Sequence, residues 1–196
     1  MKKELPVRKH LRLKGYDYSR NGLYFLTFCV KDGHEMLGNA VGRDALGAPC
    51  TRLSEHAGKR GIPDMPPYPY IELDAPSYIQ LSEYGKIIHK EIEETHLYYK
   101  NVIIDKFVVM PNHVHLIVSI QNEDGNGAPG ASRPTNALVP NIVGILKRKT
   151  NKLYGFDMWH VSYHDRIIRD EAEYHTKWRY IDENPVRWAE DEYYKK

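Results

Sequence analysis

The spacing of apolar residues changes along this chain, and that spacing separates strands from helices. Leu23-Tyr-Phe-Leu-Thr-Phe-Cys-Val30 is a run of β-forming residues after the turn-prone Asp17-Tyr-Ser-Arg-Asn-Gly22, which predicts a buried strand. Asn101 to Met110 and His113 to Ile120 are two further runs of this kind. The Pro111-Asn112 step between them predicts antiparallel strands joined tightly. From Leu81 to about Tyr98, Leu81, Tyr84, Ile87, Ile88, Ile92 and Leu97 roughly follow helical spacing among Lys and Glu, so an amphipathic helix is expected. A basic helix is predicted over Pro140 to Leu153. A last helix should run from about Glu171 to Glu183, where Pro185 stops it. Between these elements the periodicity disappears twice. Residues 39–69 and 121–140 fill with Gly, Pro, Ala and polar residues and are expected to be two long surface loops. Strands interleaved with two or three helices predict an α+β sandwich, an antiparallel sheet with helices packed on it.

Composition narrows this picture. The chain has 196 residues, 41% hydrophobic and 28% charged, enough for one domain with one core, and we expect residues 1–196 to form it. No apolar run is long enough to span a membrane, and no apolar stretch follows the basic start, so a cytoplasmic location without membrane association is expected. Two cysteines, Cys29 in a strand-like run and Cys50 in a Gly/Pro/Ala-rich stretch, argue against a disulfide framework or a thiolate metal site. A net charge of +2 permits a nucleic-acid partner without requiring one. Positive residues bunch at residues 2–14 and at Lys147, Arg148, Lys149 and Lys152. The 15 tyrosines against 4 phenylalanines supply many rings that both stack and hydrogen-bond.

The candidate chemistry starts at His113-Val114-His115. Two strand residues two apart share a face, so both imidazoles converge while Val114, Leu116 and Val118 point the other way. Neutral imidazoles bind divalent transition ions, but two ligands do not complete a site. Tyr180 and Asn184 lie four apart near the end of the last helix and share a face. The Asn184 amide oxygen is a candidate third ligand. The Tyr180 hydroxyl is a candidate nucleophile toward whatever the metal polarises. Spacing alone leaves the ordinary alternatives open, with Tyr180 as core packing and Asn184 as a helix terminator.

Three motifs occur together and in order: Met110-Pro-Asn-His-Val-His-Leu116, Trp159-His-Val-Ser-Tyr-His-Asp-Arg-Ile-Ile-Arg169 and Tyr180-Ile-Asp-Glu-Asn-Pro185. With Arg12-Leu-Lys-Gly-Tyr-Asp-Tyr18 and the first strand, they resemble the REP-associated tyrosine transposases, single-tyrosine enzymes of the HUH endonuclease superfamily. The resemblance covers nearly everything outside the two loops. It implies a ferredoxin-like fold, His113, His115 and Asn184 as metal ligands, and Tyr180 as nucleophile. It also implies Mg²⁺ or Mn²⁺ as cofactor and single-stranded DNA beside a hairpin as substrate, cut through a 5′-phosphotyrosine. Either a monomer or a homodimer fits relatives of this kind.

Tyrosine has an ordinary pKa of about 10, so its proton needs an acceptor. His164, His175 and Asp182 are weak candidates. For DNA, Arg12, Lys14, Tyr16 and Tyr18 are expected to grip phosphates and stack bases, and the family's amino-terminal segment reads a guide sequence at the hairpin foot. Lys147, Arg148 and Lys149 are expected to lie along the stem. Arg166 and Arg169 are candidates for phosphate contact, with an ion pair to Asp165 as the alternative. The main rival function is a hairpin-binding protein that has lost cleavage. A metallohydrolase with a water nucleophile and a replication or conjugation nickase are the others.

The loops carry one more pattern. Val41 to Pro49 can be encoded so that the complementary strand reads Gly-Ala-Pro-Arg-Ala-Ser-Arg-Pro-Thr, which differs from Gly127 to Thr135 only at Gly130. This predicts inverted copies of a GC-rich repeat in the gene, inserted where the fold tolerates extra residues. The gene's nucleotide sequence tests it, and codons without complementarity end the idea.

Overall fold

A computed structural model describes residues 16–41, 78–122 and 137–194. The elements are β1 (Gly22–Cys29), β2 (Gly38–Val41), β3 (Tyr78–Leu81), α1 (Glu83–Glu93), α2 (Thr95–Tyr98), β4 (Val102–Val109), β5 (His113–Ile120), α3 (Leu138–Tyr154), β6 (His164–Ile168) and α4 (Glu171–Glu183). Strands β4, β5, β1 and β6 lie in that order in one sheet, and β1 pairs antiparallel with both β5 and β6. With the helices between strands, this is the βαββαβ arrangement of a ferredoxin-like fold, with α4 added at the end. The fold class read from the sequence therefore holds.

The alternation along β1 and β5 divides the apolar residues between two faces. Tyr24, Leu26 and Phe28 of β1 and Val114, Leu116, Val118 and Ile120 of β5 face α1 and α3, where Ile88, Ile92, Val139, Ile142, Val143 and Leu146 complete the main core. Each of these fully buried aliphatic side chains contributes about 1.5–3 kcal/mol. The other face is smaller: Phe25, Ile117, Ile168 and Ile181 form a second cluster under α4.

Several boundaries differ from the sequence reading. Residues 39–41, expected in a loop, pair as β2 with β3, Gly38 opposite Leu81 and Val41 opposite Tyr78. A ladder between segments this far apart leaves no local period to read. Leu81 ends β3 instead of starting a helix, and Ser82 caps α1 by accepting the Gly85 N–H at 3.1 Å. That helix is interrupted at Glu94, and α2 is a separate short turn. Residues 138–140, placed in the second loop, are the first turn of α3, a position that tolerates Pro140. Gly155 ends α3 in the left-handed conformation at φ 80°, donating its N–H to the Asn151 carbonyl. Strand β6 lies inside the Trp159 to Arg169 motif, where its five residues are too few to show a period. The rest of the two loops, including 42–49 and 127–135, lies outside the described residues, as does the basic start with Arg12 and Lys14.

Candidate functional site

The β5 alternation turns His113, His115 and Ile117 toward α4. Register places Thr27 opposite His115 and Cys29 opposite His113. Both imidazoles are buried, and their Nε2 atoms face each other at 2.9 Å. What holds each ring from behind sets its chemistry. Asn112 donates its amide N–H groups to the Gly33 carbonyl at 3.1 Å and the Tyr193 carbonyl at 2.8 Å, so its oxygen must face His113 Nδ1, 2.9 Å away. His113 therefore carries its proton on Nδ1 and presents a lone pair at Nε2. His115 Nδ1 lies 2.7 Å from the Thr27 hydroxyl, which can donate or accept and so suits either tautomer of that ring.

Helix α4 starts at an Asp170 cap, whose carboxylate accepts the Glu173 N–H at 2.8 Å, and it lays Tyr180 and Asn184 toward the histidines. The Tyr180 ring meets His115 edge-on at 5.1 Å and Phe25 at 5.9 Å between centroids. Asn184 is buried and donates its amide N–H to Asp191 at 3.1 Å, while its oxygen is buried with no hydrogen-bond partner. A buried amide oxygen left unpaired is costly, and a cation would satisfy it. His115, Tyr180, Asn184 and Asp191 line one pocket of about 410 Å³.

Asp191 was not picked out from the sequence. It follows the turn Trp188–Glu190 that folds the chain back over the histidines, with Trp188 5.9 Å and Tyr193 4.5 Å from the His113 ring. One atom each of His113, His115 and Asp191 come within 4.8 Å of one another, a spacing that can hold a metal ion. The Tyr180 hydroxyl donates to the Asp191 carboxylate at 3.3 Å, and the Tyr193 N–H anchors the other carboxylate oxygen at 2.7 Å. Nothing in the local sequence marks Asp191 among its acidic neighbours. Lys177, one turn before Tyr180 on α4, also lines the pocket and was equally unmarked.

Electrostatics follow burial. Burial pushes the Tyr180 phenol up to about 12, the Asp191 charge adds to this, and the Asn184 amide opposes it. Burial lowers both histidine pKa values. Asp191 opposes the shift at His113, whereas His113 and Lys177 reinforce it at His115. Both rings are thus neutral near pH 7, the state a metal ion requires. The residues fit a divalent ion on two counts: two converging imidazole nitrogens and an orphaned amide oxygen beside a carboxylate.

The other candidates scatter. Tyr18 packs into the main core, its ring 5.0 Å from Tyr16, so it is not positioned to stack a base. Lys147 spends its ammonium on the His160 and Ser162 carbonyls, 2.8 Å from each, and Lys149 contacts Glu91 and Tyr98. Arg148 is the exposed member of that trio. Arg166 pairs with Glu173, whose carboxylate also takes the Arg169 N–H. Neither His164, His175 nor Asp182 lines the pocket, and Asp182 pairs with Lys106 at 2.6 Å. Two further tyrosines are committed elsewhere: Tyr174 donates to Asp105 at 2.5 Å and Tyr163 belongs to the main core.

A ferredoxin-like sandwich with a strand histidine, an amide and a tyrosine around one pocket, and a second strand histidine behind the first, defines a candidate metal centre next to a phenol. No known family profile matches the chain. An uncharacterised Haemophilus influenzae protein is 27% identical over 203 residues, spanning 95% of this chain and 93% of its own length. A solved REP-associated tyrosine transposase bound to a REP hairpin superposes with a TM-score of 0.50 at 15% identity, over 90% of this chain and 73% of its own. A Deinococcus radiodurans protein described as a candidate transposase superposes at 0.41 and 13% identity, over 87% of this chain and 95% of its own. The fold is that of a REP-associated tyrosine transposase. Among the described residues no helix is long and apolar enough to cross a membrane.

Proposed function

We propose that this protein is a metal-dependent transposase that cuts and rejoins single-stranded DNA beside hairpin elements through a 5′-phosphotyrosine on Tyr180. The observation that carries the proposal is the shared pocket: Tyr180 and Asn184 from α4 meet His115 from β5, with His113 2.9 Å behind it. His113, His115 and Asn184 would hold Mg²⁺ or Mn²⁺, with Asp191 close enough to join them. Bound there, the ion supplies Lewis-acid charge to the scissile phosphate.

The chain's own residues do the rest. Tyr180 Oη forms the new bond to phosphorus as the bond from phosphorus to the 3′-oxygen breaks. Asp191 receives the phenol proton, and the leaving 3′-oxygen takes one from water, so charge and atoms balance. With its pKa near 12, Tyr180 is a weak nucleophile at neutral pH until that proton is taken. The phosphotyrosine conserves the ester bond, so a later 3′-hydroxyl can reverse the step on another strand. Arg12, Lys14, Tyr16, Arg148, Arg166 and Arg169 are the candidates for DNA contact. The protein acts in the cytoplasm as one domain, either as a monomer or as a homodimer.

The test uses single-stranded oligonucleotides with a fixed hairpin stem and randomised flanks, incubated with Mn²⁺ or Mg²⁺. A covalent adduct that resists denaturant and disappears with chelator is expected. Hairpin binding without any adduct would assign the chain to a binding protein that has lost cleavage. Phosphodiester hydrolysis without an adduct would make it a metallohydrolase using water.

A further inference from the structure

The pocket beside Tyr180 holds more acid than base. Glu183, Glu190, Asp191 and Glu192 line it against two cations, Lys177 and Arg187. A phosphodiester entering such a site is repelled unless positive charge faces it, and a divalent ion on His113, His115 and Asn184 would offset only part of these carboxylates. Arg187 is committed to Glu183 at 3.3 Å. Lys177 makes no ion pair or hydrogen bond among the described residues. Its ammonium lies over two rings instead, 4.7 Å from the Phe25 centroid and 5.4 Å from that of Tyr180. Attraction to the ring faces offsets part of the cost of a half-buried cation, and an arriving anion would offset more. Burial is the main influence on this amine and lowers its pKa, Arg166 acts in the same direction, and Glu173 and Glu192 oppose them.

We propose that Lys177 is the anion-binding cation of the transfer site, its ammonium receiving a non-bridging oxygen of the scissile phosphodiester while Tyr180, one turn further along α4, attacks the phosphorus. This rests on the tyrosine-transfer reading above. Lys177 keeps its proton throughout. The bond from Tyr180 Oη to phosphorus forms as the bond from phosphorus to the 3′-oxygen breaks, the phenol proton passes to Asp191 as above, and negative charge builds on the phosphoryl oxygens in the transition state. A fixed cation there stabilises the transition state more than the bound ground state, so its loss should appear in the rate of the chemical step. The same ammonium sits above the ring whose oxygen is losing its proton, which favours the developing phenolate.

The experiment compares wild type, Lys177→Gln and Lys177→Arg on the hairpin pool with randomised flanks. Single-turnover adduct formation, hairpin affinity and Mn²⁺ affinity are measured for each. Lys177→Gln should slow adduct formation by about 10²–10³-fold, the scale of losing one charged transition-state contact. Hairpin affinity should change by less than about threefold, since the wider DNA surface supplies most of the binding. Lys177→Arg should recover most of the rate. Mn²⁺ should bind Lys177→Gln at least as tightly as wild type, because a nearby positive charge is gone. If wild type forms adducts and Lys177→Gln matches its rate, the role of the lysine falls while the tyrosine reading stands. If wild type forms no adduct with any member of the pool, both fall together. A Lys177→Gln variant that is slow only because it loses Mn²⁺ would make the lysine structural.

Discussion

Asn112 sets the tautomer of His113. Its amide nitrogen is committed to two carbonyls, Gly33 and Tyr193, so its oxygen can only accept from the ring, and His113 is left with a lone pair at Nε2. Replacing Asn112 with Ala removes that constraint and also releases the carbonyl that anchors the carboxy-terminal turn. The expected result is Mn²⁺ binding weaker by about 10–100-fold, the usual cost of losing a group that orients a metal ligand. Calorimetric titration measures it. Nitrogen NMR of the imidazole should show the Nδ1-protonated tautomer in wild type and a mixture in the variant. Unchanged affinity with unchanged tautomer would reduce Asn112 to a loop contact.

The buried histidines predict how the metal-free protein responds to acid. Burial holds both below the ordinary histidine pKa of about 6.5. As pH falls below that value, the unfolded chain takes up protons that the native chain resists, so stability declines with falling pH. Urea midpoints measured from about pH 7 to about pH 5, the window in which an unperturbed histidine titrates, should therefore fall steadily. A double variant, His113→Gln with His115→Gln, should show a flatter profile. A variant as steep as wild type would assign the acid sensitivity to carboxylates.

Tyr180→Phe removes one oxygen and leaves the ring in place against His115 and Phe25. Adduct formation should fall below detection, while hairpin affinity stays within about threefold of wild type, because the ring and the cations proposed to contact DNA remain. Stability should change by less than about 1 kcal/mol, since the hydroxyl makes one long hydrogen bond of 3.3 Å to Asp191. Cleavage at normal speed would place the nucleophile elsewhere.

The three basic residues of α3 should separate when tested one at a time. Burial lowers the pKa of Lys147 to about 8, and its ammonium holds two carbonyls of the segment leading into β6. Lys147→Met should cost about 1.5–3 kcal/mol in urea unfolding, the range for hydrogen bonds to a charged group. Arg148→Gln should leave stability within about 0.5 kcal/mol, as for most surface changes. It should also reduce the salt dependence of hairpin binding by about one charge. An unchanged salt slope would remove this helix from the DNA surface.

The long apolar runs of β1, β4 and β5 and the α4 boundaries were legible because each element buries a face whose period survives in the sequence. The His113 and His115 pair and the Tyr180 and Asn184 pair were legible for the same reason, since local spacing fixes which side chains share a face. Asp191 was not. It reaches the site through a reversal of the chain after Pro185, and no spacing rule relates it to β5. The β2 and β3 ladder escaped notice because its strands are short and distant in sequence. Lys147 and Tyr18 read as surface chemistry because lysine and tyrosine carry both apolar and polar parts, and only packing decides which part is used.

Tyr180 is mounted on the less firmly held side of the sheet. Helix α4 buries its own Ile181 against three residues of the sheet, Phe25, Ile117 and Ile168, whereas α1 and α3 share the main core. Its opening free energy should therefore lie below that of the whole domain, and its amides should exchange with deuterium before those of β5 or α3. Two of the three proposed ligands, His113 and His115, would stay on the rigid strand while Tyr180 and Asn184 swing out together. A phosphotyrosine strand could then be carried away from the cleavage point on a detachable arm and returned to meet a different end.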